Sequence, residues 1–411
     1  VLSETGVWYV HGQAYDNNGN KSGIKTGGPY RIDKIAPTGS WTISPVGWTN
    51  QNVVITFTAS DEGGSGVKRI QKPDGTWVTG ISTTYTATDN GMYSFIVEDN
   101  AGNATLEPVK VVISNIDKSI PAGMFIPNES TWINQDIPVE FRITNIGISG
   151  LDGWRYRILN DKGAIWYGWS STMDTMGGEI NLSAEGVWQI QAEIRNNAGT
   201  SVTVTSGLFY IDKTAPSGTF TPNDSPWTNN DIAVTFDPSD AGGSGVKQWR
   251  YRVSGDSGSK WGEWSEYILG DTNGIINLTA EGIWLIQAEV IDNAGNTSII
   301  NSGLYHIDKT PPGVIADITS KEWVNTDIKV ILTYTDLGGS GLNKSEFNWT
   351  KSTEAPLVYY GWSGAAIQSM EGIWYLHYRA ADNAGNVTTG YFGPYKIDKT
   401  EPNGTFIPQS S

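Results

Sequence analysis

The sequence has 411 residues, no cysteine, 49 glycines, 18 tryptophans and a formal net charge of −16. The lack of cysteine excludes a disulfide scaffold and any thiolate metal site, and an acidic chain without a Lys/Arg cluster argues against nucleic acid or an anionic membrane surface as partner. No apolar run is long enough for a membrane helix, and no glycine-rich phosphate loop opens a helical pattern, so the expectation is a non-enzymatic chain with no membrane-spanning part in these residues.

In chain order, residues 1–31 come first. Trp8, Val10, Gly12 and Ala14 alternate along one face, which predicts the C-terminal part of a preceding repeat. Val1 is not an initiator methionine and no basic, apolar leader precedes it, so the sequence reads as a window from a longer polypeptide. The frame Ile-Asp-Lys-x-x-Pro then starts at Ile32 and returns at Ile116, Ile211, Ile307 and Ile397, roughly every 90 residues. A fixed period of this length marks a tandem array. The expected repeats are 32–116, 117–211, 212–307 and 308–397, with the start of a following repeat at 398–411.

Within each repeat the apolar residues alternate with a period of two, as in half-buried strands. Val53, Ile55 and Phe57 share one face of a strand at 52–59, called B; Ile232, Val234 and Phe236, and then Ile328, Val330, Leu332 and Tyr334, repeat it. A strand starting near Val67 is C, one at 91–98 is F, and one running into Ile116 is G. Trp188, Ile190, Ala192 and Ile194 alternate along F of the second repeat, matched by Trp284, Ile286, Ala288 and Val290 and by Trp374, Leu376, Tyr378 and Ala380. His377 alternates outward on this reading, and with His11 and His306 it makes up the three histidines of the chain, all at unmatched positions.

About seven short strands per repeat predict an immunoglobulin-like sandwich. Trp154 and Trp249 on C become the buried inter-sheet tryptophans, with Phe347 and Trp349 on that face in the fourth repeat. The expected fold is all-β: tandem immunoglobulin-like β-sandwich domains arranged head to tail as a rod. Lys-x-x-Pro links them, short and stiff because proline fixes φ and withholds a backbone donor.

Two loops at one end of each sandwich carry recurring carboxylates. The B–C loop has Asp61, Asp240 or Asp336 before Gly-Gly-Ser-Gly; the F–G loop has Asp99, Asp292 or Asp382 in Asp-Asn-Ala-Gly-Asn. The linker delivers Asp33, Asp212 or Asp308 to the same end. Three converging carboxylates suit a hard cation such as Ca²⁺, which takes six to eight oxygens. Asn103, Asn296, Asn386 and Glu281 are further candidate ligands. Glu185, Glu371, Asp136, Asp231 and Asp327 lie at the facing end of the repeat before. The second repeat has Asn145 and Asn196 in place of both aspartates, Thr200 in place of the asparagine, and Arg195 alongside. The competing reading is turn chemistry alone, since Asx side chains cap local backbone and glycine supplies positive φ. Both readings stand at this point.

Ile211-Asp212-Lys213-Thr214-Ala215-Pro216, Asp292-Asn293-Ala294-Gly295-Asn296 and the Asp-x-Gly-Gly-Ser-Gly loops together resemble the immunoglobulin-like repeats of large bacterial surface proteins and adhesins. The resemblance covers essentially the whole chain. It implies an extracellular stalk, and some members of that broad family bind calcium between units through such aspartates.

The aromatic residues recur too. Trp48, Trp132, Trp227 and Trp323 precede strand B and are expected to be core lids. Trp166-Tyr167-Gly168-Trp169, Trp261-Gly262-Glu263-Trp264 and Tyr360-Gly361-Trp362 are expected on the strand after C. Arg155, Arg157, Arg250 and Arg252 are placed to stack on them; alternatively Trp169, Trp264 and Trp362 form an aromatic platform for sugar. The expected function is a structural stalk or spacer of a bacterial extracellular or cell-surface protein, stiffened by calcium at its junctions. Its partners are then adjacent repeats of the same chain, with any host or polysaccharide ligand held by parts outside these residues. The alternatives are lateral self-association into a surface layer or filamentous appendage, and a carbohydrate-binding accessory array of a secreted hydrolase.

Overall fold

A computed structural model describes residues 1–405. They contain strands and turns and no helix, and they form two compact units: residues 1–131 with 136–210, and residues 132–135 with 211 onward.

The first unit opens with an antiparallel hairpin of Gly6–Gly12 and Lys25–Ile32. Two sandwiches follow. In the first, strands A (Thr38–Ser44), B (Val53–Ser60) and E (Ser82–Ala87) make one sheet. The facing sheet runs in the order C′ (Trp77–Thr79), C (Val67–Gln71), F (Gly91–Asp99) and G (Val109–Ile113). The period-two alternation explains the core, since Val53, Ile55 and Phe57 are fully buried while Thr56 and Thr58 face out. Phe57 of one sheet stacks on Phe95 of the other, with ring centres 4.4 Å apart. The second sandwich repeats the plan with Ala122–Ile126, Ile137–Asn145 and Gly177–Leu182 against Ser201–Ile211, Gly186–Asn196, Leu151–Asn160 and Ile165–Tyr167.

In the second unit, Ser217–Thr221, Ile232–Ser239 and Gly274–Leu278 face a sheet of Tyr305–Ile307, Gly282–Asp292, Val246–Ser254 and Ile268–Leu269. Thr297–Asn301 extends the G side, and Trp227–Thr228 runs parallel to Tyr305–Ile307 as a short A′ strand. The last sandwich differs in one respect. Its B strand is interrupted at Ile331, whose N–H turns to Asp317 Oδ1 at 2.8 Å, so Ile328–Val330 pairs only with Ala366–Gln368 and Leu332–Thr335 only with Gly313–Ala316. The chain is thus all-β, a tandem array of immunoglobulin-like sandwiches. Residues 398–405 hold no strand, and the rest of the expected strand at 398–411 lies outside the described residues.

Trp154 and Trp249 fill the sandwich centres, 1% and 0% exposed. In the fourth repeat the register puts Ser345, opposite Ala380, where Trp154 faces Ile194 and Trp249 faces Val290. Trp362 packs there on Tyr334 and Phe347, and Trp362, Phe347 and Trp349 are all partly buried against the core.

Three expectations need correction. His377 is on the outer face but not open to solvent; it is 2% exposed, because the loop after Leu342–Thr350 folds over it and the Ser352 carbonyl meets its Nε2 at 2.8 Å. The tryptophans before strand B are not core lids: Trp48 and Trp323 are 41% and 55% exposed, and Trp132 and Trp227 lie over Gly243 and Gly339 in the B–C loop of the sandwich that follows. Of the aromatic groups placed after strand C, Trp166, Tyr167 and Tyr360 lie on a strand, but Trp261 and Trp264 lie in a loop, since the short strand there is Ile268–Leu269.

Candidate functional site

The Ile307-Asp308-Lys309 step acts in two directions. Ile211, Ile307 and Ile397 are fully buried at the end of their own sandwich. The next residue, Asp308, turns forward into the B–C loop of the fourth repeat: its Oδ2 accepts the Ser340 N–H at 3.0 Å and its Oδ1 the Thr310 N–H at 3.0 Å. Asp212 makes the same bonds with Ser244 and Thr214, Asp33 with Ser65 and Ile35, and Asp117 with Ser149 and Ser119. The loop glycine exists because the carboxylate lies against it. A Cβ on Gly338, Gly242 or Gly63 would fall 1.8–1.9 Å from a linker aspartate oxygen.

The following lysine turns backward. Lys309 Nζ reaches Asp231 and the Thr279 carbonyl, while its N–H and the Thr310 hydroxyl go to Glu281. Lys399 and Thr400 repeat this with Asp327, Ser369 and Glu371. Glu281 therefore grips the linker instead of joining an aspartate cluster, which corrects its expected place as an added ligand. Lys118 uses a neutral version, bonding Asn52 Oδ1 and the Thr88 carbonyl.

The forward end gathers the predicted carboxylates into three triads: Asp33 with Asp61 and Asp99, Asp212 with Asp240 and Asp292, and Asp308 with Asp336 and Asp382. In each triad one oxygen from every residue lies within 4.8 Å of the others. Asp212, Asp292 and Asp308 are fully buried and Asp382 is 1% exposed. Backbone and side-chain donors hold these charges: Gly242 and Gly245 N–H on Asp240, and Asn296 through its N–H and Nδ2 on Asp292. Among the described residues no lysine, arginine or histidine pairs with any of the nine. An oxygen-only set of this kind fits a hard cation, with one adjustment. Asn103, Asn296 and Asn386 each turn Nδ2 toward the cluster and donate to a linker carbonyl, so their amides would have to turn to offer oxygen.

The joint before the second sandwich carries no triad. Asn145 donates to the Ile120 carbonyl at 3.1 Å and Asn196 to the Ser119 carbonyl at 3.3 Å, so neutral amides bond the linker where carboxylates stand elsewhere. Burial alone would raise the Asp117 carboxyl, but the Ser149 and Ser119 donors outweigh it and hold it down at about 2. Asp33 is likewise lowered, chiefly by the Ser65 donors.

The aromatic groups sort differently. Arg155 and Arg157 each lie 4.7 Å from the centre of the Trp169 ring, and Arg250 and Arg252 lie 4.8 and 4.5 Å from that of Trp264. Arg155 and Arg250 are in turn held by Glu193 and Glu289, each at 2.6 Å. These tryptophans are half-buried parts of cation–π ladders, and Trp362 belongs to the core, so the three do not form one open platform. Sequence reasoning missed the backward lysine clamp; the recurrence of Asp231 and Asp327 with Glu281 and Glu371 was its only signal.

No family model matches the sequence. A stretch of 161 residues is 28% identical to Exoglucanase B of Cellulomonas fimi, covering 37% of this chain and 15% of that protein. The chain thus matches only about one-seventh of the relative's length. Among solved structures, titin domains A168–A170 superpose with a TM-score of 0.29 at 11% identity, over 66% of this chain and 98% of that one. The fibronectin(III)-like modules of Clostridium thermocellum CbhA give 0.22 at 13% identity, over 44% and 87%. The human Desmocollin-1 ectodomain gives 0.28 at 13%, over 96% and 86%.

Proposed function

We propose that the chain is a spacer segment of a bacterial extracellular or cell-surface protein, with linkers clamped as at Asp308 and Lys309 and with Ca²⁺ in the three aspartate triads. The observation that carries this reading is the repeated two-directional linker, with Asp308 bonded forward and Lys309 bonded backward from adjacent positions. A site repeated at three joints supports a mechanical role more than a chemical one. The cation adds to it by neutralising charge that the loops hold with N–H and O–H donors.

Hydrogen exchange and thermal melts of the full chain, with Ca²⁺ and then with chelator, test the ion. Ca²⁺ should raise the transition and protect the loops around Asp240 and Asp292. The Asp240→Asn/Asp292→Asn variant should lose that protection, and the amide joint at Asn145 and Asn196 should not respond in either protein. Identical melts and exchange with and without Ca²⁺ would reduce the triads to turn chemistry. Small-angle scattering tests the spacer: an extended particle supports it, and a collapsed one overturns it.

The relative named Exoglucanase B favours a second reading, in which the same spacer belongs to a secreted hydrolase and separates its other modules. Expression of the chain on its own should then give no glycan hydrolysis.

A further inference from the structure

The second sandwich holds an aromatic cleft outside the arginine ladders. Strand F of each of the last three repeats begins with a tryptophan whose indole N–H is tied to a carbonyl four residues earlier: Trp188 to Ala184, Trp284 to Ala280 and Trp374 to Met370, all at 2.8–2.9 Å. The scaffold is constant, but what lies over the ring is not. Over Trp284 the chain itself closes down, with a Cβ on Gly255 falling 3.3 Å from the indole and Ser257 bonded to the Ile283 carbonyl. Over Trp374 lies the Lys351 ammonium, 5.1 Å from the ring centre. Trp188 instead faces a second indole. Trp166 stands 4.9 Å away, tilted by 47°, and the open angle between them leaves a cavity of about 120 Å³ floored by Ile158 and Leu182 and edged by Asn181 and Ser183.

Trp166 remains 63% exposed, with Ile165 and Tyr167 beside it at 60% and 46%. A large apolar ring held in solvent on an edge strand is not accounted for by packing. We propose that this cleft binds a pyranose ring of a neutral oligosaccharide. The C–H face of a sugar matches the two indole faces, which are apolar and rich in π density. The polar rim suits its hydroxyls, because Asn181 supplies an amide and is itself bonded to Asp136. The site is one ring wide, so binding is weak for a single copy and becomes useful where a longer glycan is presented many times.

The test is a titration of the full chain with cellohexaose, xylohexaose and mannohexaose, followed by tryptophan fluorescence and calorimetry. At least one should bind saturably with a dissociation constant of about 1 mM or tighter. Trp166→Ala should weaken it at least about tenfold, with unchanged circular dichroism because the residue is largely exposed. Trp166→Phe should retain part of the affinity, and Trp323→Ala, which removes another exposed indole in a different repeat, should leave it intact. Lack of saturable binding by all three sugars to about 10 mM overturns the proposal, as does equal binding by the parent and Trp166→Ala.

Discussion

Asp308 and Lys309 are neighbours in sequence and serve opposite sandwiches: the carboxylate accepts the Ser340 N–H ahead, while the ammonium reaches Asp231 behind. The two contacts differ in exposure. Asp308 is fully buried, whereas the side chains of the Lys309–Asp231 pair are 38% and 58% exposed.

Energies should follow that difference. Asp308→Asn puts an amide N–H₂ among N–H donors in a dry loop and should cost about 1–3 kcal/mol. Lys309→Met should cost less than about 1 kcal/mol, because exposed ion pairs are screened. Denaturant unfolding followed by the fourth-repeat tryptophans measures both. Equal losses would show that the forward contact is no stronger than the backward one.

Gly338→Ala should destabilise the fourth sandwich by about 1–3 kcal/mol through overpacking, since the new Cβ would meet Asp308 Oδ1 at 1.8 Å. The cost should shrink in an Asp308→Ala background, where the obstructing carboxylate is gone. A double-mutant cycle reads this directly, and an additive result would remove the steric account of the glycine.

Asp117 gives a pH signature. Its carboxyl is lowered to about 2 from an ordinary 3.8, so the folded state binds its proton less readily than the unfolded state. The stabilisation is complete above the ordinary value and is lost as pH falls through the interval down to about 2. Asp117→Asn should flatten the stability profile of the first unit across that interval. An unchanged slope would place the acid sensitivity elsewhere.

Trp362 should behave as a core residue. Trp362→Ala should cost roughly 2–4 kcal/mol, below the roughly 3–5 kcal/mol of the fully buried Trp249→Ala and above the near-neutral Trp166→Ala. Parallel urea titrations of the three variants would settle the ranking.

The strands were legible because a sheet with one dry face enforces a period of two, and Val53, Ile55 and Phe57 declare it without help from the rest of the chain. The meeting of Asp212, Asp240 and Asp292 was legible for a related reason, as each occupies a fixed offset in a loop whose end of the sandwich is set by strand count. Direction was harder to read. Nothing local to Lys309 tells that its side chain turns back to Asp231, and Glu281 looked like a ligand because its partner, a backbone N–H, has no sequence signature. His377 and Trp362 failed for another reason: alternation describes a strand and not the loop that folds over it. In the fourth repeat, that loop buries a residue of the outer face and supplies the missing central indole.

The two-directional linker also bears on how such a chain can change length. Because Ile-Asp-Lys contains the forward anchor of one joint beside the backward anchor of the same joint, a cut made at this frame leaves each sandwich with matching halves of a common coupling. Whole repeats can then be duplicated or lost in register without redesign of their neighbours. A single residue inserted between Asp308 and Lys309 would uncouple both sides at once. Such a chain tolerates growth by entire repeats far better than drift by single residues at its seams.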